Sequence, residues 1–244
     1  MSQMSDDLYL GTALIPSVSD SGNPSPMSQG IGPMGRVYVW DIVPLTLQTN
    51  GLSTTATPSG AGNLVLAAGT GVTARVRADG TTEYVLDVPR CVTVTAAGAN
   101  TSTFTIYGYD QYGQAMSQLI AAPSTSTVAT TKAFKTVTRI AISAAAGSAI
   151  TAGFNDKFGL PLRVTDVVYM GDMKWAATLA ADAGTFVAAD TTSPATTSTT
   201  DVRGCYTPSS AANGTRRLVG MIALPALAVG PNATRTGAVG VDQV

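Results

Sequence analysis

Between Pro89 and Ile142 apolar and polar residues alternate with a period of two, and that spacing points to paired β-strands. In Cys91-Val92-Thr93-Val94-Thr95 the valines share one face and the threonines the other. Ala97-Gly98-Ala99-Asn100 turns the chain. From Thr103 to Tyr109, Phe104 and Ile106 oppose Thr105, Tyr107 and Tyr109, and Asp110-Gln111-Tyr112-Gly113 supplies turn residues. Met116 to Ile120 suits an antiparallel partner for that strand. After a Ser/Thr-rich connection, the segment Phe134 to Ile142 sets Phe134, Ile140 and Ile142 on one face and Lys135, Val137 and Arg139 on the other. The expected fold class is all-β, a jelly-roll or β-sandwich with extended N- and C-terminal arms.

The same pattern runs outward from this stretch. Arg36 to Leu47 reads as a first strand that Pro44 interrupts. Asn63 to Ala67, Val72 to Ala78 and Glu83 to Val88 read as further strands, with Gly69, Gly71 and the Asp79-Gly80 dipeptide between them. Arg75 and Arg77 alternate with Val72, Ala74 and Val76, giving one wet face and one dry one. Ala149 to Gly153 and Leu162 to Met170 continue the series. Met173 to Ala183 fits either a short helix capped by Asp172 and ended by Gly184 or a continuing sheet, and the flanking strands favour the sheet. Arg217 to Leu227 is expected to close the sheet against an early strand. The domain plan is an N-terminal arm over 1–34, a β-domain over 35–229 with an exposed loop at 188–200, and a C-terminal tail over 230–244.

Composition narrows the chemistry. Charged residues are 12% of the 244 and the formal net charge is −1, which argues against a nucleic-acid surface. A free monomer normally carries a denser mixture of charges, so much of this surface is expected to be covered in an assembly. A secreted, Thr-rich β-protein would share that composition. The N-terminus has no basic and apolar leader pattern, and no stretch approaches the roughly 18 apolar residues of a membrane helix. Cys91 and Cys205, far apart in sequence, are expected as two free buried thiols.

The chain contains no histidine, which removes Ser-His and Cys-His pairs and the commonest general base. No Lys follows a Ser by three positions. Gly30-Ile31-Gly32-Pro33-Met34-Gly35 matches G-x-G-x-x-G, but a Pro/Ser-rich segment precedes it and a strand follows, so it lacks the strand-to-helix setting that binds pyrophosphate. The single glutamate, Glu83, gives no paired-carboxylate signature. Asp20, Asp79, Asp110 and Asp156 read as local turn residues. Tyr107, Tyr109 and Tyr112 offer a stacking platform for sugars or bases, against which stands cross-strand or intersubunit packing, since no basic residue is interleaved among them. No enzyme, cofactor or metal site is assigned.

Pro89-Arg90-Cys91-Val92-Thr93-Val94-Thr95, Tyr107-Gly108-Tyr109-Asp110-Gln111-Tyr112-Gly113 and Lys132-Ala133-Phe134-Lys135-Thr136-Val137 together resemble virion structural proteins of tailed bacteriophages, nearest to the capsid decoration or cement type. Phe158-Gly159-Leu160-Pro161 and Thr207-Pro208-Ser209-Ser210 extend the resemblance over roughly Gly35 to Leu224. It implies a protein of the capsid exterior, assembled in the host cytoplasm. Its implied partners are the major capsid protein and neighbouring copies in a homo-oligomer, with neither nucleic acid nor membrane. Residues 1–34 cannot form a core, being rich in Pro, Ser and Gly around one apolar cluster, Leu8, Tyr9, Leu10, Leu14 and Ile15. That leaves a disordered tail or an arm that orders on a neighbour, and for a virion protein the arm is preferred, with those five residues as partner contacts. Two alternatives remain: a tail or head-tail junction protein, and a carbohydrate-binding adhesin-type sandwich that uses the tyrosine-bearing loops.

Overall fold

The computed structural model describes residues 7–9, 14–18, 24–31, 36–190 and 200–224. Among them the chain is all-β. In order, the strands are β1 (Asp7–Tyr9), β2 (Leu14–Val18), β3 (Pro24–Ile31), β4 (Arg36–Ile42), β5 (Gln48–Ala56), β6 (Gly62–Asn63), β7 (Val72–Val76) and β8 (Thr82–Ala96). There follow β9 (Phe104–Tyr109), β10 (Ala115–Ile120), β11 (Thr127–Ile142), β12 (Ile150–Gly159), β13 (Lys174–Trp175), β14 (Thr185–Val187), β15 (Cys205–Thr207) and β16 (Leu218–Leu224). No described helix is long and apolar enough to cross a membrane.

The large sheet runs β10-β9-β11-β8-β12-β15-β14, with β7 added to β8, β6 to β11 and β5 to β12. It curls because its longest strands change neighbours along their length. The start of β8 pairs with β7 and its end with β12, while β11 spans both regions. Inside the curl, Leu52, Leu86, Val92, Val94, Phe104, Ile106, Phe134, Ile140 and Phe154 form the main core. Each such side chain contributes about 1.5–3 kcal/mol through its removal from water. The second sheet, β1-β4-β16-β13, packs Trp40, Trp175, Leu218 and Ile222 against Val88, Phe158 and Tyr206 of the first. This is β-sandwich-type packing. The expected closure of the chain's end on an early strand is the full β16 to β4 ladder, Leu218↔Ile42 to Leu224↔Arg36.

Several expectations are corrected. The two strands expected either side of Pro89 are one strand, β8, and the proline sits where β8 carries extra residues between the Arg90 and Val85 pairings with β11. Val137 lies in the core and not on the polar face, because β11 slips register on both sides of it. Leu162 to Met170 is not a strand. After Pro161 it ends in a 3-10 turn at Val167–Tyr169, capped by Asp166 Oδ1 accepting from the Val168 amide at 3.0 Å. Of Met173 to Ala183 only Lys174–Trp175 is strand, since Ala176 and Ala177 adopt φ of 57° and 60° and end the ladder. Asn63 to Ala67 is reduced to the short β6.

Asp79 and Asp110 do bond their own turns, through the amides of Thr81 and of Tyr112 and Gln114. Asp156 does not: it is a buried ion-pair partner of Arg90. In the segment expected as an exposed loop, Ala189 and Asp190 are buried and 191–199 lie outside the described residues. Residues 225–244, which include the expected tail, also lie outside them. Cys91 and Cys205 are free and fully buried, packed with Ala133.

Candidate functional site

The outer face of the large sheet carries a groove of about 560 Å³ across four neighbouring strands. β7 and the residues just after it supply Arg75 and Arg77, β8 supplies Glu83 and Val85, and β11 supplies Lys135 and Thr136. The end of β9 and its turn supply Tyr109, Gln111 and Gly113. The period-two pattern puts Phe104 and Ile106 into the core and so turns Tyr107 and Tyr109 outward on β9.

At the centre of the groove is Glu83, directly opposite Arg75 in the ladder and 2% exposed. Its Oε1 accepts from Arg75 Nε at 2.5 Å, and its Oε2 lies 3.5 Å from Arg77 Nη1. The Arg77 guanidinium in turn lies 4.8 Å from the centre of the Tyr109 ring. Lys135 is half-buried, and its Nζ donates to the carbonyls of Leu86 at 2.6 Å and Asp87 at 2.8 Å. Burial lowers its pKa, against the opposing pull of Asp87. The turn that walls one end is fixed by Asp110, whose Oδ2 pairs with the buried Arg203.

An arginine from elsewhere in the fold lies over each of the three tyrosine rings. Arg139 lies 3.9 Å from the centre of Tyr107, Arg77 covers Tyr109, and Arg203 lies 5.1 Å from Tyr112. The basic residues missing from the local sequence arrive across strands. Tyr112 is held besides by its hydroxyl, which donates to the Pro161 carbonyl at 2.5 Å.

Of the expected partner contacts, Leu8 and Tyr9 lie on β1, paired with Val37 and Arg36 of β4. Leu14 and Ile15 lie on β2, paired with Ile31 and Gly30 of β3. Leu10 lies outside the described residues. The cluster is thus divided between two separate strand pairings, and the groove is built from none of it. Sequence reasoning passed over the groove although its signal was present: Arg75 and Arg77 are two apart on one strand, and Lys135 was already on an outward face.

Large apolar side chains are also exposed. Val167 and Val168 are 62% and 73% exposed on the 3-10 turn that abuts β16, and Met221 projects from β16 itself. Val65 and Val76 are exposed as well, the latter on β7. No family profile, curated protein or solved structure matches the chain.

Proposed function

We propose that this chain is a structural virion protein that decorates and cements a tailed-bacteriophage capsid, binding the major capsid protein and neighbouring copies of itself. The virion part of the reading rests on the resemblance of the Pro89–Thr95, Tyr107–Gly113 and Lys132–Val137 motifs. The assembly part rests on one structural observation, the exposed apolar side chains Val167, Val168 and Met221 beside the four-stranded sheet. Such side chains on a chain with so little charge suit a surface that a partner covers. β7 adds an open edge, since β8 is its one sheet neighbour among the described residues.

A protein that binds only the assembled shell stabilises it by mass action, and many equivalent weak sites add their contributions. Particles lacking this protein release their genome at lower temperature than complete ones, and adding the purified protein back restores the difference. Equal release temperatures, or a copy number of a handful confined to the tail, would exclude cementing.

A further inference from the structure

We infer that the Arg75–Arg77–Lys135 groove is a built binding site for clustered carboxylates on an extended acidic segment of a partner protein. Three cations face the groove, and of the two acidic residues that line it Asp110 is matched by Arg203, which leaves Glu83; Asp87, which also pulls on Lys135, is itself paired with Arg90. In a chain with 14 lysines and arginines spread over 244 residues, that concentration calls for a physical reason. Arg75 and Arg77 are open to solvent, their side chains 69% and 39% exposed, but each cation has partners that orient it. Glu83 fastens one guanidinium on each carboxylate oxygen, the Tyr109 ring backs Arg77, and two backbone carbonyls hold Lys135. Groups fixed before a ligand arrives lose little freedom on binding it.

The donors left over define the ligand. Arg75 Nη1, Arg77 Nε and Nη2, and one Lys135 proton have no partner among the described residues. Guanidinium edges match carboxylates in paired hydrogen bonds, and two positive charges in excess suit two carboxylates. Sugars and bases are disfavoured as the main ligand, since the tyrosine faces on which they would stack already carry arginines. An extended peptide has a further foothold. The open edge of β7 lies alongside the groove, with Val76 exposed on it, so a strand-like segment can add to the edge while its carboxylates reach Arg75 and Arg77. Glu83 is a positioning residue in this site.

The inference stands apart from the capsid reading, because it is tested on the purified full-length protein. End-blocked hexaglutamate is titrated by calorimetry at about 50 mM salt, where screening is weak, with hexaglutamine as the neutral control. Hexaglutamate is expected to bind and hexaglutamine not. Arg75→Ala/Arg77→Ala should weaken binding about tenfold or more, while Lys174→Ala/Arg216→Ala, with equal charge removed elsewhere, leaves it unchanged. Glu83→Gln is the decisive variant. It makes the groove more positive, so attraction by charge alone would tighten binding, whereas a site that Glu83 organises binds more weakly. Glu83→Asp, with the charge kept and the reach shortened, serves if the glutamine variant does not fold. No binding by the wild type, loss of affinity equal in the two double variants, tighter binding by Glu83→Gln, or preference for oligogalacturonate over the peptide would each overturn the inference.

Discussion

Arg90 and Asp156 meet inside the protein, Nη1 to Oδ1 at 3.1 Å, and each is also tied to a different loop. Arg90, with no exposed surface, donates through Nη2 to the Leu45 carbonyl and to Asp87, while Asp156 Oδ2 accepts from the Ala212 amide at 2.9 Å. The pair therefore fastens the chain after β4 and the chain before β16 onto the large sheet. Phe154 and Phe158 flank the guanidinium at 4.9 and 5.1 Å.

Asp156→Ala leaves that buried cation with only Asp87 as its ionic partner and frees the Ala212 amide. Losing one member of a buried pair costs about 3–5 kcal/mol. Burial raises the Asp156 carboxyl above its ordinary pKa despite Arg90, so the charge itself is costly there. Asp156→Asn, which keeps the shape without the charge, should cost distinctly less. Denaturant melts of the two variants check the order.

Gly153 lies where β5 crosses close over β12. A Cβ there would stand 1.8 Å from the Gln48 carbonyl oxygen, and backbone cannot swing aside as a side chain can. Gly153→Ala should cost about 1–3 kcal/mol or more by forcing β5 away. Gly62→Ala, with open space around the added methyl, should cost far less. Thermal melts of the two alanine variants test the contrast.

These contacts mark what the sequence could and could not say. Alternation placed Phe104, Ile106, Val92 and Val94 in the core and the last strand against an early one, because a half-buried strand shows its burial in its own residues. Val137 was misplaced because a register slip reverses the pleat without leaving a mark in composition. Arg90 with Asp156 and Arg203 with Asp110 are 66 and 93 residues apart, and nothing local tells such an aspartate from a turn residue. The groove was half legible, since its cations sat on recognised outward faces, but the closure that brings β7, β8, β11 and β9 side by side is tertiary.

Tyr206 donates its hydroxyl to Asp182 Oδ2 at 2.8 Å, and burial together with that bond raises the phenol's pKa well above its usual range. A raised folded-state pKa gives stability that is present below the unfolded value, about 10, and lost as pH rises past it. Melting temperature should therefore fall above about pH 10, and Tyr206→Phe, less stable at neutral pH, should show a shallower fall. Parallel slopes for the two proteins would remove Tyr206 as the cause.

Hydrogen bonding with Cys91, followed by burial, pushes the Cys205 thiol well above the ordinary thiol range. Neither cysteine exposes any surface. The native protein should not react with a thiol reagent at neutral pH, whereas denaturant without reductant should release two reactive thiols per chain. A single mass shift corresponding to a Cys91–Cys205 bridge would contradict this.

The last expectation concerns the N-terminal segment. β1 adds only three residues to the outer edge of β4, which is anchored on its other side by the seven-residue ladder with β16. Among the described side chains the main core begins at Leu52, and the second cluster's buried members begin at Trp40. Deleting residues 1–31 should thus leave the circular dichroism of the β-domain largely intact while uncovering the edge of β4 that Leu8 and Tyr9 pair with. If those residues and their apolar neighbours also engage a shell, as the arm reading holds, the shortened protein binds particles more weakly than the full chain in a sedimentation assay. Equal binding by a folded truncation would take the segment out of the interface, and partner contact would then fall to the surface around Val167, Val168 and Met221. Replacing those three with serine or threonine in the truncated protein separates the two possibilities, because only a surface that meets the shell loses affinity when its apolar side chains are removed.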